Sequence, residues 1–241
     1  MHKCMTDPYD YDAMLADLSA GRRFGFVRYS DGDWNCFFGR KGGVVNEHEY
    51  LPDLGAALRA NLKSEPGYHV GIMSSLLTPG RWWAAPRVIE WTAAHPEVSF
   101  CSSMILHCAS QRGELGPFFA ALRGLRVSFV GNETMRGMQP WLGEFRLVEI
   151  PAQDCWLHRD EIVPRIIAAA RQSDVVLFAC SMPAKVWIRQ TWESGADASL
   201  IDVGSVLDPY VGRESRIYMR GGAVKLATPI GPPEIHPSGG L

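Results

Sequence analysis

Short apolar runs alternate along this chain with longer segments in which apolar residues recur at helical spacing. The runs, bounded by Gly, Pro, Asn or Asp, predict buried strands. The periodic segments between them predict amphipathic helices. The predicted strands are residues 24–29, 36–45 (a strand or a hairpin), 68–73, 98–101, 126–130, 145–150, 174–180 and 199–203. The predicted helices are residues 11–18, 54–62, 78–94, 118–122, 161–171 and 183–193.

Strands and helices alternate throughout, most regularly after residue 125. Such alternation is typical of an α/β protein with a Rossmann-like, mostly parallel sheet and helices on both faces. The 241 residues suit one domain of this kind. We therefore predict a single domain with its core at about residues 10–227 and a loosely ordered, Pro- and Gly-rich tail at 228–241.

Composition argues against several functional classes. The net charge of -2 gives no basic field that would attract nucleic acid or an anionic membrane. No apolar run approaches the ~20 residues of a transmembrane helix. The six cysteines form no CxxC pair, and no histidine spacing suits zinc. We therefore expect a cytoplasmic protein without a structural zinc site.

Eight tryptophans are many for this length, and Trp82, Trp83 and Trp91 fall together. Adjacent residues cannot face the same side of a helix, so Trp82 or Trp83 is expected to be partly exposed. The core plus one protein interface would account for the cluster, which favours a homodimer. A stacking surface for a sugar or a base is the alternative.

The most informative segment is residues 28–33, where Arg28 and two acids follow an apolar strand. Gly32 lets the chain turn sharply, so Asp31 and Asp33 bring two oxygen donors to one point. This pair suits Mg²⁺ or Mn²⁺ carrying a diphosphate, and Arg28 could bind the phosphate oxygens bidentately. The alternatives are an ordinary Asp-Gly turn, acids that cap the next element, and an arginine paired with an acid.

Polar residues also follow the later predicted strands. Ligands of open parallel sheets bind beyond the carboxyl ends of the strands, so these residues are candidates for substrate binding. They are Gly131, Asn132, Asp154, Ser181, Lys185, Asp202 and Ser205. Gly131-Asn132 could instead be an ordinary turn, and Ser181 could cap the next helix.

Two further aspartates stand out for different reasons. Asp202 lies within an apolar strand, where an unpaired carboxylate is costly, so we expect it to have a partner or a function. Asp208, beyond the strand end, is the candidate general base for an acceptor hydroxyl. Asp208-Pro209 is equally an ordinary turn.

Residues 26–33, Phe-Val-Arg-Tyr-Ser-Asp-Gly-Asp, resemble the Arg-Tyr/Phe-Gly-Asp-Gly-Glu signature of GT-D type glycosyltransferases, formerly domain of unknown function 1792. Residues 127–132, 175–185 and 200–209 are similar to later segments of that family. The resemblance covers roughly residues 24–210 and is weak between about 45 and 120. It implies a Rossmann-like fold, a nucleotide diphosphate sugar donor, and an acid pair that serves the metal and the diphosphate.

Two departures from the family pattern affect the site. Ser30 stands in place of a glycine, and Asp33 in place of a glutamate, which shortens one predicted metal ligand. The closing segment has Asp208 where the best-known members carry a His-containing version with a later Glu. The identity of the catalytic base therefore stays open.

Together these features predict a glycosyltransferase that moves a sugar from a nucleotide diphosphate sugar to a glycan, glycolipid or glycoprotein acceptor. A UDP-sugar is the favoured donor. Asp31 and Asp33 would hold Mn²⁺ or Mg²⁺, and both would be catalytic together with Asp208. The alternatives are a Rossmann-like methyltransferase that uses S-adenosylmethionine, with Gly131-Asn132 at its cofactor loop, and a non-catalytic α/β module that binds a protein.

Overall fold

The computed structural model describes residues 3–40, 44–45, 48–222 and 224–229. The strands are β1 (Gly25–Tyr29), β2 (Val44–Val45), β3 (His48–Glu49), β4 (Tyr68–Ile72), β5 (Phe100–Ser102), β6 (Val127–Gly131), β7 (Arg146–Glu149), β8 (Val175–Phe178) and β9 (Ser199–Asp202). The α-helices are α1 (Tyr11–Ser19), α2 (Asp31–Phe37), α3 (Pro52–Asn61), α4 (Ala85–Ala94), α5 (Ile105–Arg112), α6 (Gly116–Leu122), α7 (Gln139–Leu142), α8 (Arg159–Ala170) and α9 (Pro183–Glu193). Short 3-10 helices occupy Ser74–Leu77, Glu133–Met138, Cys155–His158, Asp208–Val211 and Ile217–Gly222.

Seven strands form one parallel sheet in the order β5-β4-β1-β9-β8-β6-β7, and β2 and β3 form a separate antiparallel hairpin. This confirms the predicted α/β class with a parallel sheet. The first and last strands of the large sheet, β1 and β9, are direct neighbours, with Gly25 opposite Leu200. Segments far apart in sequence therefore end side by side, at the edge where open α/β sheets bind ligands.

Each face of the sheet has its own hydrophobic core, because successive strand residues point to opposite faces. Val27 and Tyr29 of β1 belong to one core, which α3, α4, α8 and α9 cover. Phe26 of the same strand belongs to the other, which α1, α5 and α6 cover. Burial on both faces explains why the central strands are nearly continuous apolar runs rather than alternating patterns.

The segment that follows β1 is a helix, whereas the sequence predicted a strand or hairpin at 36–45. Helix α2 contains Cys36. Ser30 and Asp33, three residues apart, hydrogen-bond at its start, and this capping interaction favours a helix. The β2–β3 hairpin comes later, and Gly42-Gly43, its predicted turn, lies outside the described residues.

Three other helices differ from the prediction. The helix predicted at 78–94 begins at Ala85, because Pro86 has no backbone N–H and suits the first turn. Helices α5 and α7 were not predicted at all. The remaining strands and helices agree with the prediction to within two residues at each end.

Most of the predicted tail, 228–241, lies outside the described residues. Among the helices of the described ranges, none combines the length and apolar character that crossing a bilayer requires.

Candidate active site

A cleft of about 950 Å³ opens at the carboxyl edge of the sheet, where β1, β8 and β9 end. The sequence-predicted residues that line it are Arg28, Asp31, Asp33, Asn132, Ser181, Lys185, Ser205 and Asp208. Asp202 lies beneath, in contact with Lys185. The topology thus brings together polar residues from strand ends up to 180 positions apart in sequence (Arg28 to Asp208).

Helix α2 places the two acids of the Asp-Gly-Asp segment in different environments. Asp31, its first residue, is exposed and lines the cleft. Asp33 points inward and is 1% exposed. Its Oδ2 accepts hydrogen bonds from the Ser30 backbone N–H at 2.7 Å and from the Ser30 hydroxyl at 2.8 Å. Its Oδ1 faces Lys185 Nζ at 3.3 Å but has no hydrogen-bond partner among the described residues.

Lys185 lies between two buried carboxylates. Its Nζ is 3.0 Å from Asp202 Oδ2 and 3.3 Å from Asp33 Oδ1. Burial disfavours the ammonium, but Asp202 and Asp33 outweigh this effect and raise the pKa of Lys185. Burial also raises the pKa of Asp33, against the opposing influence of Lys185 and Ser30. The partner that the sequence required for Asp202 is therefore Lys185, which had been assigned to substrate binding.

The backbone just before α9 provides a third oxygen to the Lys185 ammonium. Ser181 has a φ of +55°, in the left-handed region that residues with a side chain rarely adopt. Its carbonyl accepts a hydrogen bond from Lys185 Nζ at 3.1 Å. Backbone strain of this kind persists where the surrounding structure fixes it. The Lys185 ammonium is one of the groups that fix Ser181.

Arg28 links three strand ends beneath the cleft. Its Nε donates to the Ser103 carbonyl at 2.7 Å, and its Nη1 donates to the Val203 carbonyl at 3.5 Å. Its backbone N–H donates to Asp202 Oδ2 at 3.3 Å. The guanidinium also passes so close to Gly204 that an added Cβ would collide with it, which explains the glycine. Because these N–H groups are committed to carbonyls, the predicted bidentate grip of Arg28 on phosphate does not fit.

His107 of α5 closes the network. An arginine can only donate, so His107 Nε2 accepts from Arg28 Nη2 at 3.4 Å, and the Ser205 hydroxyl lies 3.4 Å from the same nitrogen. Burial and the positive charge of Arg28 lower the pKa of His107 from 6.5 to about 2. His107 is therefore a neutral hydrogen-bond acceptor near neutral pH.

The chain after β9 forms one wall of the cleft. Asp208, 7% exposed, begins a 3-10 helix there. The other residues of this wall are Arg213, Glu214, Ser215, Arg216 and Tyr218. The Tyr218 ring packs edge-on against His107, with centroids 6.0 Å apart, and burial raises the pKa of Tyr218 to about 12.

Three predicted substrate contacts have structural partners instead. The Asn132 side-chain carbonyl, although at the cleft, accepts from the Thr134 N–H at 3.1 Å and from the Thr134 hydroxyl at 2.5 Å. Asp154 accepts from the Glu49 N–H at 2.9 Å and so anchors the β2–β3 hairpin. Gly131 lies within β6, where neighbouring side chains pack closely against its backbone. Asp154 and Gly131 do not line the cleft.

The charges of the cleft are balanced. Five cations line it, and four carboxylates line it with Asp202 beneath them. The cations are Arg28, Arg81, Lys185, Arg213 and Arg216, and the lining carboxylates are Asp31, Asp33, Asp208 and Glu214.

The two predicted metal ligands differ in accessibility: Asp31 is exposed and Asp33 is buried. Across the described ranges, no group of three or more His, Cys, Asp or Glu could hold a metal by itself. Magnesium-type sites commonly combine one or two carboxylates with substrate phosphates, and the exposed Asp31 fits that arrangement. Asp33 is buried, and its Oδ2 is bonded to Ser30, so only its Oδ1 is without a hydrogen-bond partner among the described residues.

Sequence reasoning missed several residues of the cleft. His107 was missed because α5 is only eight residues long and its apolar pattern is short. Arg81 and Trp82 were placed inside a predicted helix, although they precede α4. The residues of the wall after Asp208 carry no motif, so only the fold brings them to the cleft.

The fold of this chain matches that of three solved structures. One, described as the highly conserved domain of unknown function 1792 with a distinct glycosyltransferase fold, is 16% identical over 84% of this chain and 79% of that one, with a TM-score of 0.63. A selenomethionine-substituted structure of this domain is 15% identical with the same coverage and TM-score. A third, described as a new glycosyltransferase (DUF1792) from Streptococcus sanguinis, is 15% identical over 84% and 82%, with a TM-score of 0.63.

The chain therefore has the glycosyltransferase fold of domain of unknown function 1792, which confirms the resemblance at the level of the fold. No protein-family profile and no curated protein matches the sequence.

Replacing Lys185 with methionine leaves two buried carboxylates without their cation. We expect the free energy of unfolding to fall by about 3–5 kcal/mol, as when one partner of a buried ion pair is removed. Adding Asp202→Asn removes one of the two charges and should recover part of the loss. Urea denaturation at neutral pH measures both effects.

The matched control is Arg22→Met, which breaks the exposed Arg22–Asp17 pair and should cost less than about 1 kcal/mol. A similarly small loss for Lys185→Met would contradict the buried cluster.

His107 should make stability depend on pH. The unfolded chain takes up a proton on this histidine near pH 6.5, whereas the folded protein does so near pH 2, so the free energy of unfolding falls as the pH drops below 6.5. The contribution approaches about 1.4 kcal/mol per pH unit. His107→Gln keeps a polar acceptor and should remove this contribution from chemical denaturation curves measured between pH 7 and pH 5. The exposed His158→Gln should keep it. Equal slopes for the wild type and His107→Gln would show that His107 is not held neutral.

Proposed function

We propose that this protein transfers a sugar from a nucleotide diphosphate sugar, with a UDP-sugar favoured, to a glycan, glycolipid or glycoprotein acceptor. One observation carries the proposal: in a glycosyltransferase fold, the exposed Asp31 at the end of β1 and the residues after β9 line one cleft. The cleft lies at the strand ends where α/β folds bind nucleotides.

The donor diphosphate would meet the guanidinium groups of the cleft wall. Arg213 and Arg216 line the cleft, and guanidinium groups match phosphate oxygens in geometry and charge. Lys185 and Arg28 lie lower, fixed by carboxylates and carbonyls. They would act on the diphosphate through their fixed positive charge rather than by changing partners.

The balanced charge of the cleft supports a role for a divalent cation. The cations of the cleft are equal in number to its carboxylates. A bound diphosphate would therefore add negative charge that the protein's own cations do not balance. Asp31 is the residue that would hold Mn²⁺ or Mg²⁺ together with the phosphate oxygens. When bound, the cation would offset the charge that grows on the leaving diphosphate. Asp33 would position Asp31 by fixing the first turn of α2.

Asp208 is the proposed general base. It lines the cleft at the start of the wall after β9, and its carboxyl group is largely buried there. A carboxylate within reach of the acceptor hydroxyl would take the proton as the new glycosidic bond forms. Glu214, which also lines the cleft but is exposed, is the competing carboxylate.

A nucleoside diphosphate should stabilise the protein, and part of that effect should require the metal. At a ligand concentration near 100 times Kd, binding adds about 2.7 kcal/mol. For a chain of this size that is roughly 5–10 °C in Tm. Thermal shift with UDP, GDP and TDP, each with and without Mn²⁺, measures the effect. Asp31→Asn should lose the Mn²⁺-dependent part.

The matched control is Asp12→Asn, an exposed acid in the first turn of α1, which should keep the full shift. Stabilisation by S-adenosylmethionine in place of any nucleoside diphosphate would favour a methyltransferase. No shift with either class of ligand would favour a non-catalytic module.

Asp208→Asn should separate binding from chemistry. We expect the nucleotide-dependent rise in Tm to stay, because the residue is assigned to the acceptor side. Turnover of the donor, measured as release of nucleoside diphosphate, should fall by about 10²–10⁴-fold, the contribution of general-base catalysis. Glu214→Gln is the control and should change turnover little. A large loss in Glu214→Gln with normal turnover in Asp208→Asn would move the base to Glu214.

A further inference from the structure

Trp82 and Trp83 are neighbours in the chain with different surroundings: Trp82 lines the cleft, whereas Trp83 does not. They occupy the turn between the 3-10 helix Ser74–Leu77 and α4. Trp82 is half-buried, packs against the core under α3 and α4, and lines the cleft. Trp83 points the other way and is 57% exposed. A single exposed tryptophan is not unusual on a protein surface, but Trp83 is in ring contact with Trp82 and so extends the aromatic surface of a residue that lines the cleft.

The two indoles offer a bent aromatic surface with donors around it. Their ring centroids are 5.6 Å apart and the rings are inclined at 57°. The Arg40 guanidinium lies 5.4 Å from the Trp83 ring centroid. Arg81, next in the chain, lines the same cleft as Asp31 and Trp82. An apolar face flanked by N–H donors suits a ligand with an apolar face and a rim of hydroxyl groups.

The size of the exposed surface favours a small ligand over a protein partner. A tryptophan can bury 150–250 Å², so an exposure of 57% leaves on the order of 100 Å². A stable protein interface needs about 800 Å² from each partner. One indole and its neighbour provide far less, but they match one face of a sugar ring.

We propose that Trp82, Trp83, Arg40 and Arg81 form a subsite for the carbohydrate end of the acceptor. This inference rests on the proposed function and adds the ligand class and the residues of the acceptor side. The C–H face of a pyranose stacks on the Trp83 indole, and its hydroxyl groups accept hydrogen bonds from Arg40 and Arg81. Trp82 continues the aromatic surface into the cleft and directs the acceptor toward Asp31.

Saturation-transfer NMR on the full chain tests the subsite. The probes are methyl glycosides of glucose, galactose and N-acetylglucosamine in both anomeric forms, with and without UDP and Mn²⁺. We expect transfer to the C–H protons of at least one glycoside. Trp83→Ala should weaken its binding about tenfold or more, the loss typical of a tryptophan that dominates a binding site. Trp83→Phe should keep most of the affinity.

The matched control is Leu157→Ala, another exposed large apolar residue, which is 62% exposed and whose chain neighbours Trp156 and His158 do not line the cleft. It should bind as the wild type does. No transfer to any glycoside, or transfer that persists in Trp83→Ala, would overturn the subsite. A dimer in solution that Trp83→Ala dissociates would also overturn it, since Trp83 would then be an interface residue.

The nucleotide experiment separates this inference from the proposed function. Trp83→Ala should keep the rise in Tm with nucleoside diphosphate and Mn²⁺. A normal rise together with Trp83-independent glycoside binding would overturn the subsite alone. The opposite result is glycoside binding that depends on Trp83 together with no rise in Tm on adding nucleotide. That result would overturn the proposed transferase activity but support the carbohydrate subsite.

Discussion

The architecture of the site depends on one ammonium group shared by two buried carboxylates. Asp33 comes from α2, Asp202 from the end of β9, and Lys185 from the first turns of α9. Neither carboxylate could stay charged in this environment alone, because burial without a partner is too costly. The contact therefore fixes the positions of three elements whose residues are distant in sequence. It also sets the relation between β1 and β9, on which the whole cleft depends.

The contact with Lys185 gives the two acids of the Asp-Gly-Asp segment different surroundings. Asp33 lines the cleft but is buried, and its side chain contacts Ser30 and Lys185. Asp31, two residues earlier on the same helix turn, is exposed. Under the proposed function, Asp31 would hold the cation and Asp33 would support it. Such support would matter because a ligand is effective only when its own position is fixed.

The sequence predicted the strands well because central strands of a parallel sheet are continuous apolar runs with Gly and Pro boundaries. It also predicted that Asp202 needs a partner, from burial alone. It did not identify Lys185 as that partner, since the contact depends on strand order, which local patterns do not encode. For the same reason the hydrogen bond between Arg28 and His107 could not be predicted from the sequence. The start of α2 was missed although Ser30 and Asp33 carry the spacing of a capping box.

The floor and the walls of the cleft differ in the contacts of their side chains: the floor groups are buried and paired, whereas the wall groups are more exposed. The floor consists of strand ends joined by the contacts of Arg28 and Lys185, and its histidine is neutral, so its charges are compensated before any ligand arrives. Under the proposed function, the groups of this floor would need little rearrangement when a diphosphate binds. Electrostatic preorganisation requires groups that are already in position. The walls, from the turn that carries Trp82 and from the residues after Asp208, hold more exposed groups, which under the proposed function would distinguish one substrate from another. Changes in substrate preference should therefore arise in the walls, while the floor tolerates few substitutions because each of its charged groups supports at least one other.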